Sequence, residues 1–239
     1  MTRIDQKQLL WVFFFAVSMA FFESAIVVYL RELYYPEGFT FPLKTLEADI
    51  AVTEIIREAF SMLMIVSVAI IAGRRAMQRF GYFLIIFAVW DIFYYVFLKL
   101  VLGWPESFFE WDILFLIPVT WVGPVIAPVL NSLVMAALGF ILVRADSIKS
   151  KAIIKPLSWT LLIAGAIFVL ISYVEDYVSY MNEFFTLQKI LFDASDQEVM
   201  AKATEYKPQD FAWGWYIAGV VLHIAAVVHT WRVNEKKSD

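Results

Sequence analysis

Six runs of about twenty apolar residues, each carrying few charges, divide this sequence. That is the length a helix needs to cross a hydrocarbon layer roughly 30 Å thick at about 1.5 Å per residue. The expected spans are about 9–30, 50–72, 80–102, 121–143, 154–174 and 211–231. Composition agrees, because 62% of the 239 residues are hydrophobic and 18% are charged, against about 45–50% and about 25% in soluble domains. The fold class that follows is all-α, a polytopic transmembrane helical bundle of about six spans forming a single integral membrane domain over 1–239. The first run stays apolar from Leu9 to Leu30, beyond the roughly 7–15 residues of a signal-peptide core, and reads as a retained helix. Cysteine is absent, which excludes disulfides, thiolate metal sites and a cysteine nucleophile.

Orientation is read from the basic residues in alternate connections. Arg3, Lys7, Arg74, Arg75, Arg79, Arg144, Lys149, Lys151, Lys155, Arg232, Lys236 and Lys237 all fall on one side, twelve of the nineteen Lys and Arg, against the acids Asp5, Asp146, Glu235 and Asp239. Four separate segments agree. The expected location is the plasma (inner) membrane with both termini cytoplasmic, the net charge of -4 concealing a basic inner face and an acidic outer one. Trp11, Trp159 and Trp231 mark the inner interface, and Tyr34, Tyr35, Trp104, Trp111, Trp213 and Trp215 the outer one.

Three stretches depart from plain spans. Residues 175–210 form the longest connection, with Val178, Met181, Phe184, Phe185 and Leu191 near helical spacing, which predicts an additional extracytoplasmic amphipathic helix. Ser195 with Glu198 has capping-box spacing and predicts a second short helix. The loop YYPEGFTFPL is aromatic and proline-rich and is expected to be ordered. From Phe108 to Val143 the chain is too long for one crossing and contains Pro118, Pro124 and Pro128, so a broken segment with a re-entrant or interfacial piece at 111–119 is expected. Trp90-Asp91-Ile92 and Trp111-Asp112-Ile113 repeat a tripeptide, which reads as a chance echo.

Ionisable residues within spans point to function because each costs a few kcal/mol or more when it faces lipid. Glu23 lies about 21 Å along the first span, and Glu54, Arg57 and Glu58 occupy roughly the first 12 Å of the second. Asp91 is near the middle of the third, with Tyr95 and Lys99 following on its face at four-residue steps. Asn131 and Ser132 are central in the fourth, and His223 is central in the sixth, two turns from Tyr216. A common interior pocket is the simplest arrangement. The candidate substrate- or proton-binding residues are therefore Glu23, Glu54, Arg57, Glu58, Asp91, Tyr95 and His223. Their carboxylates outnumber Arg57 and Lys99, so some are expected to be protonated, metal-bound or wetted by a cavity.

Each of these residues also has a plainer reading. Glu54, Arg57 and Glu58 can form a network that only fixes helix register. Trp90, Tyr94 and Tyr95 suit packing, His223 suits an interhelical hydrogen bond, and His229 suits the interface. No cofactor is predicted. A carboxylate-bound metal would use Glu54, Glu58, Asp91 and His223, but paired Glu-x-x-His, His-Glu-x-x-His, Gly-x-Ser-x-Gly and Walker motifs are all missing.

Three functions compete on these residues. The first is a small-solute or proton/cation-coupled transporter using Glu23, Glu58 and Asp91 with Arg57 as charge partner. The second is a membrane-embedded enzyme acting on a lipid or apolar substrate at the outer leaflet. The third is a non-catalytic subunit or assembly factor of a membrane complex. The expected partners are the lipid bilayer and a homo-oligomer or membrane-complex subunit, with no nucleic acid.

Overall fold

In a computed structural model, which describes residues 3–44, 46–147, 152–192 and 196–235, each of the six apolar runs contains a long helix. The chain is 74% helical and an integral membrane protein by its six long apolar helices. The elements are α1 (Arg3–Tyr34), α2 (Ala48–Ala72), α3 (Ala76–Leu102), β1 (Trp111–Phe115), β2 (Trp121–Pro124), α4 (Ile126–Ser147), α5 (Pro156–Asn182), α6 (Leu187–Phe192), α7 (Gln197–Ala203) and α8 (Trp213–Glu235). Phe22, Phe60, Ile71, Leu100, Leu133 and Ile167 are among the large apolar side chains left exposed on the helix flanks, as lipid-facing surfaces require. Lys149, Lys151, Lys236, Lys237 and Asp239, which belong to the basic-side count, lie outside the described residues.

Helix α3 is the centre of one half of the bundle, packed against α1, α2 and α4, while α8 packs on α4 and α5. Two crossings are closed by facing glycines. A Cβ on Gly139 of α4 would stand 2.6 Å from the Gly81 carbonyl of α3, and one on Gly219 of α8 would stand 2.8 Å from the Gly165 carbonyl of α5. In lipid, where helices gain nothing by hiding apolar surface from one another, such close backbone approach supplies the packing that holds them. Gly139→Ala is therefore expected to lower stability by about 1–3 kcal/mol. Thermal unfolding in detergent checks this against Gly214→Ala, a helix position with no atom within 4 Å of the added carbon, where no loss is expected.

The predicted fourth span, 121–143, is corrected at its start. Trp121–Pro124 is a strand, paired antiparallel with Trp111–Phe115 in the register Trp111↔Pro124, Asp112↔Gly123, Ile113↔Val122 and Phe115↔Trp121, with an irregularity between Ile113 and Phe115. Aromatic and β-branched residues on both strands favour this over helix. Pro118 lies in the turn, Pro124 ends β2, and Pro128 occupies the first turn of α4, where its missing N–H costs nothing. The broken, re-entrant segment expected at 111–119 is thus a β-hairpin.

The 175–210 prediction is also redrawn. Helix α5 continues through Asn182, so Val178 and Met181 belong to the end of a span, and the connection is closed by the short α6 and α7. Ile190, Val199 and Tyr206 bury themselves against Tyr177 and Met181, and the Tyr206 hydroxyl donates to Asp176 at 2.5 Å. Ser195 lies outside the described residues; α7 is capped by Asp196, whose Oδ1 accepts from the Glu198 and Val199 N–H groups. The aromatic loop after α1 is tied to this cap by Phe41, which packs on Tyr206 at 6.2 Å, and to the end of α3 by Phe39, which packs on Trp104 at 6.2 Å.

Candidate functional site

Helices α1 and α2 touch only weakly, although both pack on α3, and the gap among the three is filled at one end by the hairpin and roofed by the loop after α1. A cavity of about 230 Å³ remains there. Glu23, Glu54, Arg57, Glu58, Asp91 and Tyr95 all line it, as do Arg31, Asp112, Ser61 and Tyr94. Six of the seven residues singled out from the sequence therefore meet. They meet because each sits on the one face of its helix that points away from lipid, where a polar group can find partners.

The charges fall into four groups. Arg57 bridges Glu23 of α1 and Glu54 of its own helix, donating from Nη1 to Glu23 and from Nη2 to Glu54 at 2.5 Å. Ser61 Oγ also donates to Glu23, at 3.4 Å. Arg31 Nη2 pairs with Asp112 Oδ1 at 3.2 Å, and its guanidinium lies 3.8 Å from the centre of the Trp104 ring and 4.5 Å from that of Phe39. Burial pushes the Asp112 carboxyl up to about 6, against the opposing pull of the Arg31 guanidinium.

Glu58 meets no cation at bonding distance among the described residues; it accepts from the backbone N–H of Leu116 at 3.0 and 3.1 Å and of Ile117 at 3.4 Å. Lying nine residues beyond Asp49, it holds the hairpin tip about 14 Å below the start of that span. It thereby satisfies backbone donors that no strand partner takes. Glu58→Ala is expected to speed amide exchange at Leu116 and Ile117 at least about tenfold, since an unmet buried donor costs about 1–3 kcal/mol. Hydrogen-exchange mass spectrometry checks it, with Glu58→Gln falling between the two.

Asp91 is the fourth group. Among the described residues its single hydrogen bond is from Ser132 Oγ of α4, at 2.8 Å. Ser132 is itself buried, so Asp91 is the cavity carboxylate with neither a cation nor a backbone donor beside it.

Some expectations fail. His223 does not join the cavity: it lies between α5 and α8, against Gly165, with Nε2 at 3.2 Å from the Leu162 carbonyl oxygen. Lys99 leaves the face of Asp91 and Tyr95 to donate to the Gly103 and Pro105 carbonyls, both at 2.8 Å, closing the end of α3. Tyr216 donates to the Ala127 carbonyl at 2.7 Å, and His229 Nδ1 shares a hydrogen bond with Ser158 at 2.7 Å, joining the end of α8 to the start of α5. Glu54, Glu58, Asp91 and His223 do not gather as a metal centre; among the described residues no three His, Asp or Glu side chains stand close enough to hold an ion.

Among the site residues that escaped sequence reasoning are Arg31 and Asp112. Both had a signal. Arg31 is an arginine near the end of an apolar run, and Asp112 stands in the second Trp-Asp-Ile, whose first copy contains Asp91; the two aspartates line the same cavity. No protein-family model matches this chain, and no curated protein or solved structure matches it significantly.

Proposed function

We propose that this chain is a small-solute carrier of the plasma (inner) membrane, in which Asp91 takes up a proton or a compact cation. The observation that carries this reading is the charge balance of the cavity. Five carboxylates, Glu23, Glu54, Glu58, Asp91 and Asp112, line it with three cations, Arg31, Arg57 and Lys44, the last standing over the Tyr35 ring at 5.6 Å. The guanidiniums are occupied by Glu23, Glu54 and Asp112, and Glu58 is occupied by the hairpin, which leaves Asp91 for an incoming positive charge. Trp90, Tyr94 and Tyr95, which line the cavity with it, are aromatic rings of the kind whose faces attract an ammonium group. A carboxylate deep in a span next to irregular backbone is the arrangement that ion-coupled carriers use. The excess of Lys and Arg at the opposite end supports a reading in which that end and both termini are cytoplasmic and the cavity faces outward.

The test uses purified full-length chain in liposomes with an entrapped pH dye. Choline, putrescine and glycine ethyl ester are added outside in turn. A saturable proton movement driven by at least one of them, and absent from protein-free liposomes, is the expected result. No saturable movement with any of the three counts against the reading.

A further inference from the structure

The acidic cavity is acidic only in part. Asp91 lies eleven residues before the end of α3, about 16 Å below the roofed end of the space. Its Oδ2 accepts from Ser132, and its Oδ1 accepts no hydrogen bond among the described residues. That second oxygen is not sealed in, unlike Trp90 Nε1, Arg31 Nη1 and Asp112 Oδ2 on the same walls, so it keeps surface open to the space that Asp91 lines. One carboxylate oxygen at the deep end is therefore both unpartnered and within reach of a ligand.

Two features limit what can approach it. The rest of the lining is mainly apolar, Val27, Leu30, Leu46 and Ile113 standing with the Tyr94 and Tyr95 rings. Such walls strip water from a bare ion and return nothing, whereas a hydrocarbon body gains about two- to fourfold in affinity for each methylene it buries. The roofed end, in contrast, carries cations. Arg31 is three residues from the end of α1, and Lys44, in the loop that follows, holds its ammonium 5.6 Å from the centre of the Tyr35 ring. Arg31 is paired with Asp112, so Lys44 is the charge that the far end of a ligand meets.

We propose that the ligand of this cavity is a lipophilic monoamine, whose single ammonium donates to Asp91 Oδ1 while an uncharged body lies along the apolar walls toward the roof. This rests on the reading of Asp91 as the group that takes up the charge. A diamine is disfavoured because its second ammonium meets Lys44. A small inorganic cation leaves the apolar walls unused, and a neutral analogue leaves Asp91 without a counter-ion. The volume, about 230 Å³, is below the about 300–1,000 Å³ of pockets for drug-sized molecules, so the body is a single ring or a short chain.

The experiment measures equilibrium binding of tritiated phenethylamine to the purified full chain in detergent at neutral pH, with unlabelled competitors. Saturable binding is expected, and competing alkylamines are expected to gain about two- to fourfold in affinity per methylene from propylamine to hexylamine. Cadaverine is expected to compete at least about tenfold less well than pentylamine, and phenethyl alcohol at least about tenfold less well than phenethylamine. Asp91→Asn is expected to weaken phenethylamine binding at least about tenfold; if that variant fails to fold, the alcohol makes the same comparison in the parent protein. Lys44→Gln is expected to narrow the gap between cadaverine and pentylamine about threefold. Affinity independent of chain length, a diamine that matches its monoamine, an alcohol that matches its amine, or undiminished binding in folded Asp91→Asn overturns the proposal. Binding of the expected pattern without proton movement in liposomes upholds the ligand class and refutes the carrier; proton movement driven by putrescine alone does the reverse.

Discussion

Asp91→Asn is expected to reduce solute-driven proton movement in liposomes to the level of protein-free vesicles. The change is nearly isosteric. The amide oxygen still accepts from Ser132, so the α3–α4 contact is kept while the charge and the titratable proton are removed. Stability in detergent is expected to stay within about 1 kcal/mol of the parent or to rise slightly, because a carboxylate buried without a cation partner is a cost to the fold rather than a support. Asp91→Glu, which restores the chemistry at a displaced position, is expected to recover part of the flux. Full activity in Asp91→Asn removes this residue from the mechanism.

Arg57→Leu is expected to act in the opposite sense, on the fold before the function. It leaves Glu23 and Glu54, whose side chains are 12% and 14% exposed, facing one another without their shared cation. Removing one partner of a buried ion pair costs about 3–5 kcal/mol; the polar cavity beside these groups places the expected loss at the lower end, about 3 kcal/mol. Adding Glu23→Gln is expected to return part of that stability, since the coupling between contacting residues is what a double-mutant cycle measures. Thermal unfolding of the single and double variants distinguishes this network from a surface ion pair, for which the loss is about 1 kcal/mol or less.

The helices were legible because a bilayer imposes a length and a composition on each span, and α1, α2, α3, α5 and α8 overlap the apolar runs closely. The meeting of Glu23, Arg57, Glu58 and Asp91 was legible for a related reason: a polar group on an otherwise apolar helix has one tolerable direction to face. The hairpin was hidden because Trp111–Phe115 and Trp121–Pro124 are as apolar as the span they precede, and a short apolar run does not distinguish strand from buried helix. Its prolines announced the break, not the strand. Asp112 went unread with the hairpin, since an aspartate in a loop has solvent as its default partner, whereas one on a re-entrant strand must find Arg31. His223 misled because depth along a helix was known but rotation about its axis was not, and Lys99 because its long side chain reaches past its own face to the Gly103 and Pro105 carbonyls. The close glycine crossings, which decide that rotation for α5 and α8, became visible only when Gly165 and Gly219 were seen face to face.

The cysteine-free sequence permits one direct measurement on the acidic cavity. Ser61 lies twelve residues beyond Asp49, about 18 Å into α2, and lines that cavity, while its neighbour Phe60 is 61% exposed on the lipid-facing flank. Single Ser61→Cys and Phe60→Cys proteins in sealed vesicles are treated with a charged, membrane-impermeant thiol reagent from each side in turn. Modification of Ser61→Cys from the hairpin side only, with Phe60→Cys unmodified from either side, is the expected result. An unreactive Ser61→Cys, or one modified from the basic side, contradicts an outward-facing polar cavity at the middle of the membrane.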